Sequence, residues 1–182
     1  MEDGKHPSWG QRKNGVSADF SLCHLSESID DILYETPLIN PNQLTTSSKL
    51  LMAGYGCKTA NMQPSVDPAT GKPIFQIGFA TVASLPQGEY LYIVTGTGAL
   101  ICPGDSGGAA YLSTSSGLDA VGGRRIVAVN SRVGTDTNKN VIGPSYLSSV
   151  ATPSASDFIK KWSNDHGAAV CGYNQASKCR SF

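Results

Sequence analysis

The segment Cys102-Pro103-Gly104-Asp105-Ser106-Gly107-Gly108 sets one serine among glycines. On a tight turn such a serine presents an exposed hydroxyl. Neighbours without side chains let the surrounding backbone N–H groups converge on one spot. An acyl-transfer nucleophile with an oxyanion hole needs both features. The same short pattern also suits a plain glycine turn between two strands. Chemistry at Ser106 requires a base as well, because an unassisted serine hydroxyl is a weak nucleophile. The chain has three histidines to draw on, His6, His24 and His166.

The five cysteines are Cys23, Cys57, Cys102, Cys171 and Cys179, with no C-x-x-C pair among them. A zinc site is therefore not expected, and no other metal or organic cofactor is implied. An odd number gives two disulfides and one leftover thiol in an oxidising compartment. Composition leaves the pairing open.

Short strands with turns between them must position these groups. Residues 1–17 are polar and without periodicity, which predicts a frayed start. The stretch from Asp19 to Leu25 alternates as a strand does. Residues 26–48 are turn-rich, with Pro37 and Pro41. Lys49–Gly56 reads as a strand, and residues 63–73 as a surface turn. Ile74–Thr81, Tyr90–Thr95, Gly108–Leu112, Arg124–Ser131 and Pro144–Val150 carry further strand patterns. Residues 113–123 form a soft loop. One helix is predicted over Ser154–Asn164, with Ser154 and Asp157 at capping-box spacing. Cys171 and Cys179 in the tail, residues 166–182, suggest a small local disulfide loop. The pattern predicts an all-β barrel or sandwich.

Length and composition narrow the function. A chain of 182 residues suits one domain. Lys+Arg and Asp+Glu are 14 each, so no basic field exists to hold nucleic acid. Charged residues are only 15%, and 20 glycines point to a loop-rich β protein. The apolar runs fall far short of the roughly 18 residues that span a membrane. The polar start Met1-Glu2-Asp3-Gly4-Lys5-His6 does not read as a signal peptide. With the odd cysteine, it suggests a chain that is not whole.

The Gly-Asp-Ser-Gly-Gly core, in its order and context, resembles the trypsin/chymotrypsin-like serine protease family. Ala53-Gly54-Tyr55-Gly56 resembles the strand that opens that family's second barrel. Ile126-Val127-Ala128-Val129-Asn130-Ser131 resembles the strand lining the primary specificity pocket, and Gly143-Pro144-Ser145-Tyr146 its far wall. Ser154–Trp162 is similar to the C-terminal helix. The stretch from Asp19 to Leu25 resembles the strand that bears the catalytic aspartate. The resemblance covers residues 18–165 and implies a trypsin-like antiparallel barrel: the second barrel nearly complete, the first truncated.

Position by position, the resemblance implies that Ser106 is the nucleophile, acting on a peptide or protein substrate. The backbone N–H groups of Gly104 and Ser106 would form the oxyanion hole, and Asp19 would orient a histidine. Ser131 would help hold Asp19 and, as part of the substrate pocket, the substrate backbone, and Asp105 would pair with an α-amino group freed by activation. Leu100 and Val133 would shape a pocket for a small or apolar side chain rather than Lys or Arg. Cys57–Cys102 and Cys171–Cys179 are the implied bridges, with Cys23 a buried thiol or paired with a missing part. Secretion follows from the family and the cysteines.

The family's histidine stretch has no counterpart. None of His6, His24 and His166 sits where the general base belongs. Residue 1 is expected to fall inside a longer protease, whose missing N-terminal segment would be a partner. The chain alone is expected to lack useful peptidase activity, to expose strand edges and apolar surface, and to be poorly soluble. Two rivals remain. An α/β-hydrolase would use Ser106, Asp136 and His166 in that order, but needs a helix after the serine. A non-catalytic, protease-like binding protein would explain the lost histidine.

Overall fold

The computed structural model describes residues 2–5, 18–27, 29–63, 65–87, 92–113, 123–175 and 177–179. The strands are β1 (Glu2–Lys5), β2 (Ser21–His24), β3 (Thr36–Pro37), β4 (Lys49–Gly54) and β5 (Gln76–Ser84). β6 (Tyr92–Gly98), β7 (Ala109–Ser113), β8 (Arg124–Thr135) and β9 (Val141–Ser149) follow, then helix α1 (Pro153–Asp165).

Strands β4 to β9 close on themselves. The pairing runs β4–β5–β6–β9–β8–β7 and returns from β7 to β4, all antiparallel. This is a six-stranded barrel with a C-terminal helix, as the strand pattern implied. Closure leaves none of these six strands with a free edge. The expected exposed edges are thus missing from the barrel. The short β3 adds to β8 in parallel.

Alternate residues of the strands fill the barrel because side chains point to opposite faces in turn. Leu50 and Met52 of β4 meet Ala80 and Val82 of β5, Ile93 of β6, Ala110 of β7, Ala128 of β8 and Leu147 of β9. Leu50, Ile93 and Leu147 are fully buried. Each contributes about 1.5–3 kcal/mol by leaving water.

A second cluster forms outside the barrel wall, where α1 packs. Ala155 and Ile159 of the helix join Ala18, Phe20 and Val150. The Phe20 and Phe158 rings meet edge to face at 5.9 Å. Ala155, Ile159, Trp162 and Ser163 make the buried stripe of the helix, at the spacing one helical face requires. The helix starts one residue before the predicted Ser154. Thr152, not Ser154, caps it and accepts a hydrogen bond from Ala155 N–H at 3.3 Å, with Pro153 in the first turn.

Two other expectations change. Glu2–Lys5 pairs antiparallel with β2, so part of the polar start is ordered by strand pairing; residues 6–17 lie outside the described ones. Strands β8 and β9 extend beyond the predicted limits, because they pair with each other around the turn 136–140.

Both implied disulfides form: Cys57–Cys102, separated by 45 residues, and Cys171–Cys179, separated by 8. Loop-closure arithmetic gives about 4 kcal/mol for the first and about 2.5 kcal/mol for the second. The first also ties the loop after β4 to the turn before Ser106. Cys23 stands outside both bridges and is exposed rather than buried, because β2 presents it to solvent.

Candidate active site

The turn Gly104–Gly108 crosses from Cys102 to β7 with Ser106 exposed at its crest. Three of its N–H groups are hydrogen-bonded. Asp105 N–H donates to the Cys102 carbonyl at 2.9 Å, Gly107 N–H to the Asn130 carbonyl at 3.0 Å, and Gly108 N–H to the Asp105 carbonyl at 3.1 Å. The other two N–H groups of the turn, of Gly104 and Ser106, find no acceptor among the described residues. Gly104 adopts φ +101° and Gly107 φ +84°, a region that side chains disfavour.

Asn130 of β8 carries this turn. Its own N–H donates to the Gly108 carbonyl at 2.8 Å, and its side-chain Nδ2 donates to the Asp105 carbonyl at 3.2 Å. It is only 2% exposed. A polar residue at a core-facing strand position was the available signal, and sequence reasoning did not use it.

The next residue, Ser131, is the extra residue of a bulge. Asn130 pairs with Leu147 and Arg132 with Tyr146, so two steps along β8 oppose one along β9. The bulge turns the Ser131 hydroxyl to the Asp19 carboxylate, to which it donates at 2.7 Å. Asp19 N–H donates to Ser148 Oγ of β9 at 2.8 Å. The Tyr92 hydroxyl lies 3.3 Å from that of Ser131, another contact absent from the sequence reading. The turn around Ser106, through Asn130, and the Asp19 carboxylate, through Ser131, are thus both held by neighbouring residues of β8.

Asp105 points the other way, into a pocket of about 210 Å³ that Met52, Gly54, Leu100 and Asn130 also line. Its carboxylate accepts from Gly56 N–H at 2.8 Å and Cys102 N–H at 3.0 Å. The glycines are required there. A Cβ on Gly54 would lie 2.0 Å from Asp105 Oδ1, and one on Gly56 2.4 Å from Oδ2.

Leu100 lies against Gly143, where a Cβ would come within 2.9 Å of its side chain. Gly134 and Gly143 approach so closely that a Cβ on the former would be 2.2 Å from the latter's carbonyl oxygen. Val133 packs against the barrel core. Leu100 thus abuts β9 and Val133 the core, while the cavity that Leu100 lines includes neither Val133 nor Ser131.

The histidines do not join them. His166 is stacked on Trp162 at 4.6 Å, its Nδ1 held 2.9 Å from the Trp162 carbonyl oxygen. His24 is exposed and borders a separate cleft, whose lining includes neither Ser106 nor Asp19. His6 lies outside the described residues. Asp19 has no hydrogen bond to an imidazole among the described residues. Asp136 is committed to its own turn. It accepts from Asn140 Nδ2 at 2.9 Å, from Asn140 N–H at 2.8 Å and from Asn138 N–H at 2.9 Å. These bonds, first the Asn140 side chain, hold its carboxyl below the usual range. The α/β-hydrolase order fails at this point, and also because β7, a strand, follows Ser106.

Among the described residues, no group of three or more His, Cys, Asp or Glu is placed to hold a metal. Among them, too, no helix is long and apolar enough to cross a membrane. No protein-family model matches the chain, and no curated protein matches its sequence.

Proposed function

We propose that this chain is the serine-bearing part of a trypsin/chymotrypsin-like endopeptidase, secreted, and acting on peptide or protein substrates. The observation that carries the reading is the pair of uncommitted N–H groups, on Gly104 and Ser106, flanking an exposed Ser106 hydroxyl. Ser106 Oγ attacks the scissile carbonyl carbon, and its proton passes to a base. The two N–H groups receive the oxygen that becomes negative, and removal of such a donor typically costs about 100- to 1,000-fold in rate. Collapse of the tetrahedral species expels the amine, which takes the proton back. Water then releases the acyl group.

The base would be a histidine from a further segment of the same protease, oriented by Asp19. Leu25, Ile29, Ile32, Leu33 and Ile39 are exposed along residues 25–39, an apolar face suited to such a segment. Asp105 would exchange its backbone partners for an α-amino group on activation. Leu100 and Val133 would select a small or apolar side chain. The two disulfides favour an oxidising, extracellular setting.

A second reading is a non-catalytic, protease-like binding protein. The lack of an imidazole on Asp19 among the described residues favours it.

The test is acylation. The purified chain is treated with p-nitrophenyl acetate, with and without added imidazole as a substitute base, and mapped by mass spectrometry. Acylation of Ser106, accelerated by imidazole and absent in Ser106→Ala, is expected. Labelling confined to surface lysines, equal in both proteins, would favour the binding reading.

A further inference from the structure

Arg132 follows the Ser131 bulge and is exposed. Its guanidinium carbon lies 4.8 Å from the centre of the Tyr92 ring and 4.7 Å from that of Tyr146. The two rings meet each other edge to face at 5.7 Å. Arginine stacks on such faces without using its N–H donors, of which it has five. Among the described residues the Arg132 guanidinium has neither an ion pair nor a hydrogen bond. A strong cation is therefore held in place with all its donors available.

Its location gives this a use. Three consecutive residues of β8 divide the work: Asn130 carries the Ser106 turn, Ser131 holds Asp19, and Arg132 presents the cation. Successive residues advance about 3.3 Å along a strand, so Arg132 stands two residues along β8 from Asn130, which carries the Ser106 turn. Asp19, the neighbouring carboxylate of the chain, is already bound by Ser131. Clamping the guanidinium between rings removes in advance the ordering cost that a free arginine meets when it binds.

We propose that Arg132, clamped by Tyr92 and Tyr146, recognises a carboxylate on the substrate, an Asp or Glu side chain of a bound peptide. The inference rests on the peptide-hydrolase reading for its biological meaning. Its test reads binding alone.

The probes are fluorescein-labelled hexapeptides of alanine carrying one glutamate, scanned along the peptide, or glutamine at the same place. Their affinity for the Ser106→Ala chain is measured by fluorescence anisotropy at low salt. In at least one position the glutamate peptide should bind about tenfold tighter than its glutamine twin, the size of one charge-assisted contact. Salt should narrow the gap. Arg132→Met keeps apolar cover over the rings and should abolish the preference while leaving the melting temperature in place. Should that variant fail to fold, Arg132→Lys keeps the charge, loses the fork, and should weaken the preference several-fold. Equal binding of both peptides at every position would overturn the proposal, as would a preference that survives Arg132→Met. A glutamate preference in a chain whose Ser106 never acylates would instead sink the peptidase reading and leave the carboxylate site standing.

Discussion

The Ser131 hydroxyl donates to the Asp19 carboxylate at 2.7 Å across 112 positions of sequence. It does so because Ser131 is a bulge residue, released from the regular ladder between β8 and β9. The pair joins the segment before β2 to the barrel wall. It also fixes where a carboxylate stands relative to the Ser106 turn, since Asn130, the adjacent residue, carries that turn.

The bond should be measurable as a coupling. In a double-mutant cycle, Ser131→Ala and Asp19→Asn should each lower stability, and the double variant should lose less than their sum. A hydrogen bond of this kind contributes about 0.5–1.5 kcal/mol. Urea denaturation of the four proteins checks it, and strictly additive losses would show that the two side chains act separately.

Gly56 should resist enlargement. Gly56→Ala puts a methyl 2.4 Å from Asp105 Oδ2 and must displace the carboxylate from Gly56 N–H and Cys102 N–H. Losing both bonds at a part-buried acid should cost about 2–4 kcal/mol. The Ser106 turn should then open, with faster amide exchange at Gly107 and Gly108. An alanine variant with unchanged thermal stability would contradict this account of the turn.

Asp136 should make stability depend on acid. Its bonds to Asn140 and Asn138 favour the ionised form, so its folded pKa lies below that of the unfolded chain, about 3.9. The contribution is complete above pH 4 and disappears as pH falls through the lower folded value. Asp136→Asn should therefore melt below the wild type at pH 7, and the gap should close below pH 4. Melting curves across pH 2–7 test this, and a gap constant with pH would exclude it.

Tyr173 should act at the other end of the scale. Burial pushes its phenol up, against the opposing hydrogen bond to Ser156. The folded pKa exceeds the unfolded one, so the stabilisation is present below about pH 10 and is lost as pH rises through the folded value. Tyr173→Phe should flatten the alkaline side of the stability profile, and an unchanged profile would assign that loss to other groups.

Local patterns were enough to indicate a β architecture, a serine turn and one C-terminal helix. Gly104 and Gly107 mark the turn because their φ values are ones that glycine tolerates. The strands showed themselves by alternation, yet their ends did not, as β8 and β9 show by lengthening each other. The helix cap was misplaced for a similar reason. Thr152 and Ser154 are both good caps by type, and Pro153 between them favours Thr152.

What composition and spacing determined by themselves was the set of parts: a serine set among glycines, a balance of 14 basic and 14 acidic residues, five cysteines and three histidines. Tertiary structure alone decided which parts meet. Asn130, Ser131 and Arg132 are three neighbours in sequence that face a glycine turn, a distant aspartate and two tyrosines. That division arises from one extra residue in a strand pairing. Register between strands is set by the closure of the whole barrel, and no local window of sequence contains it.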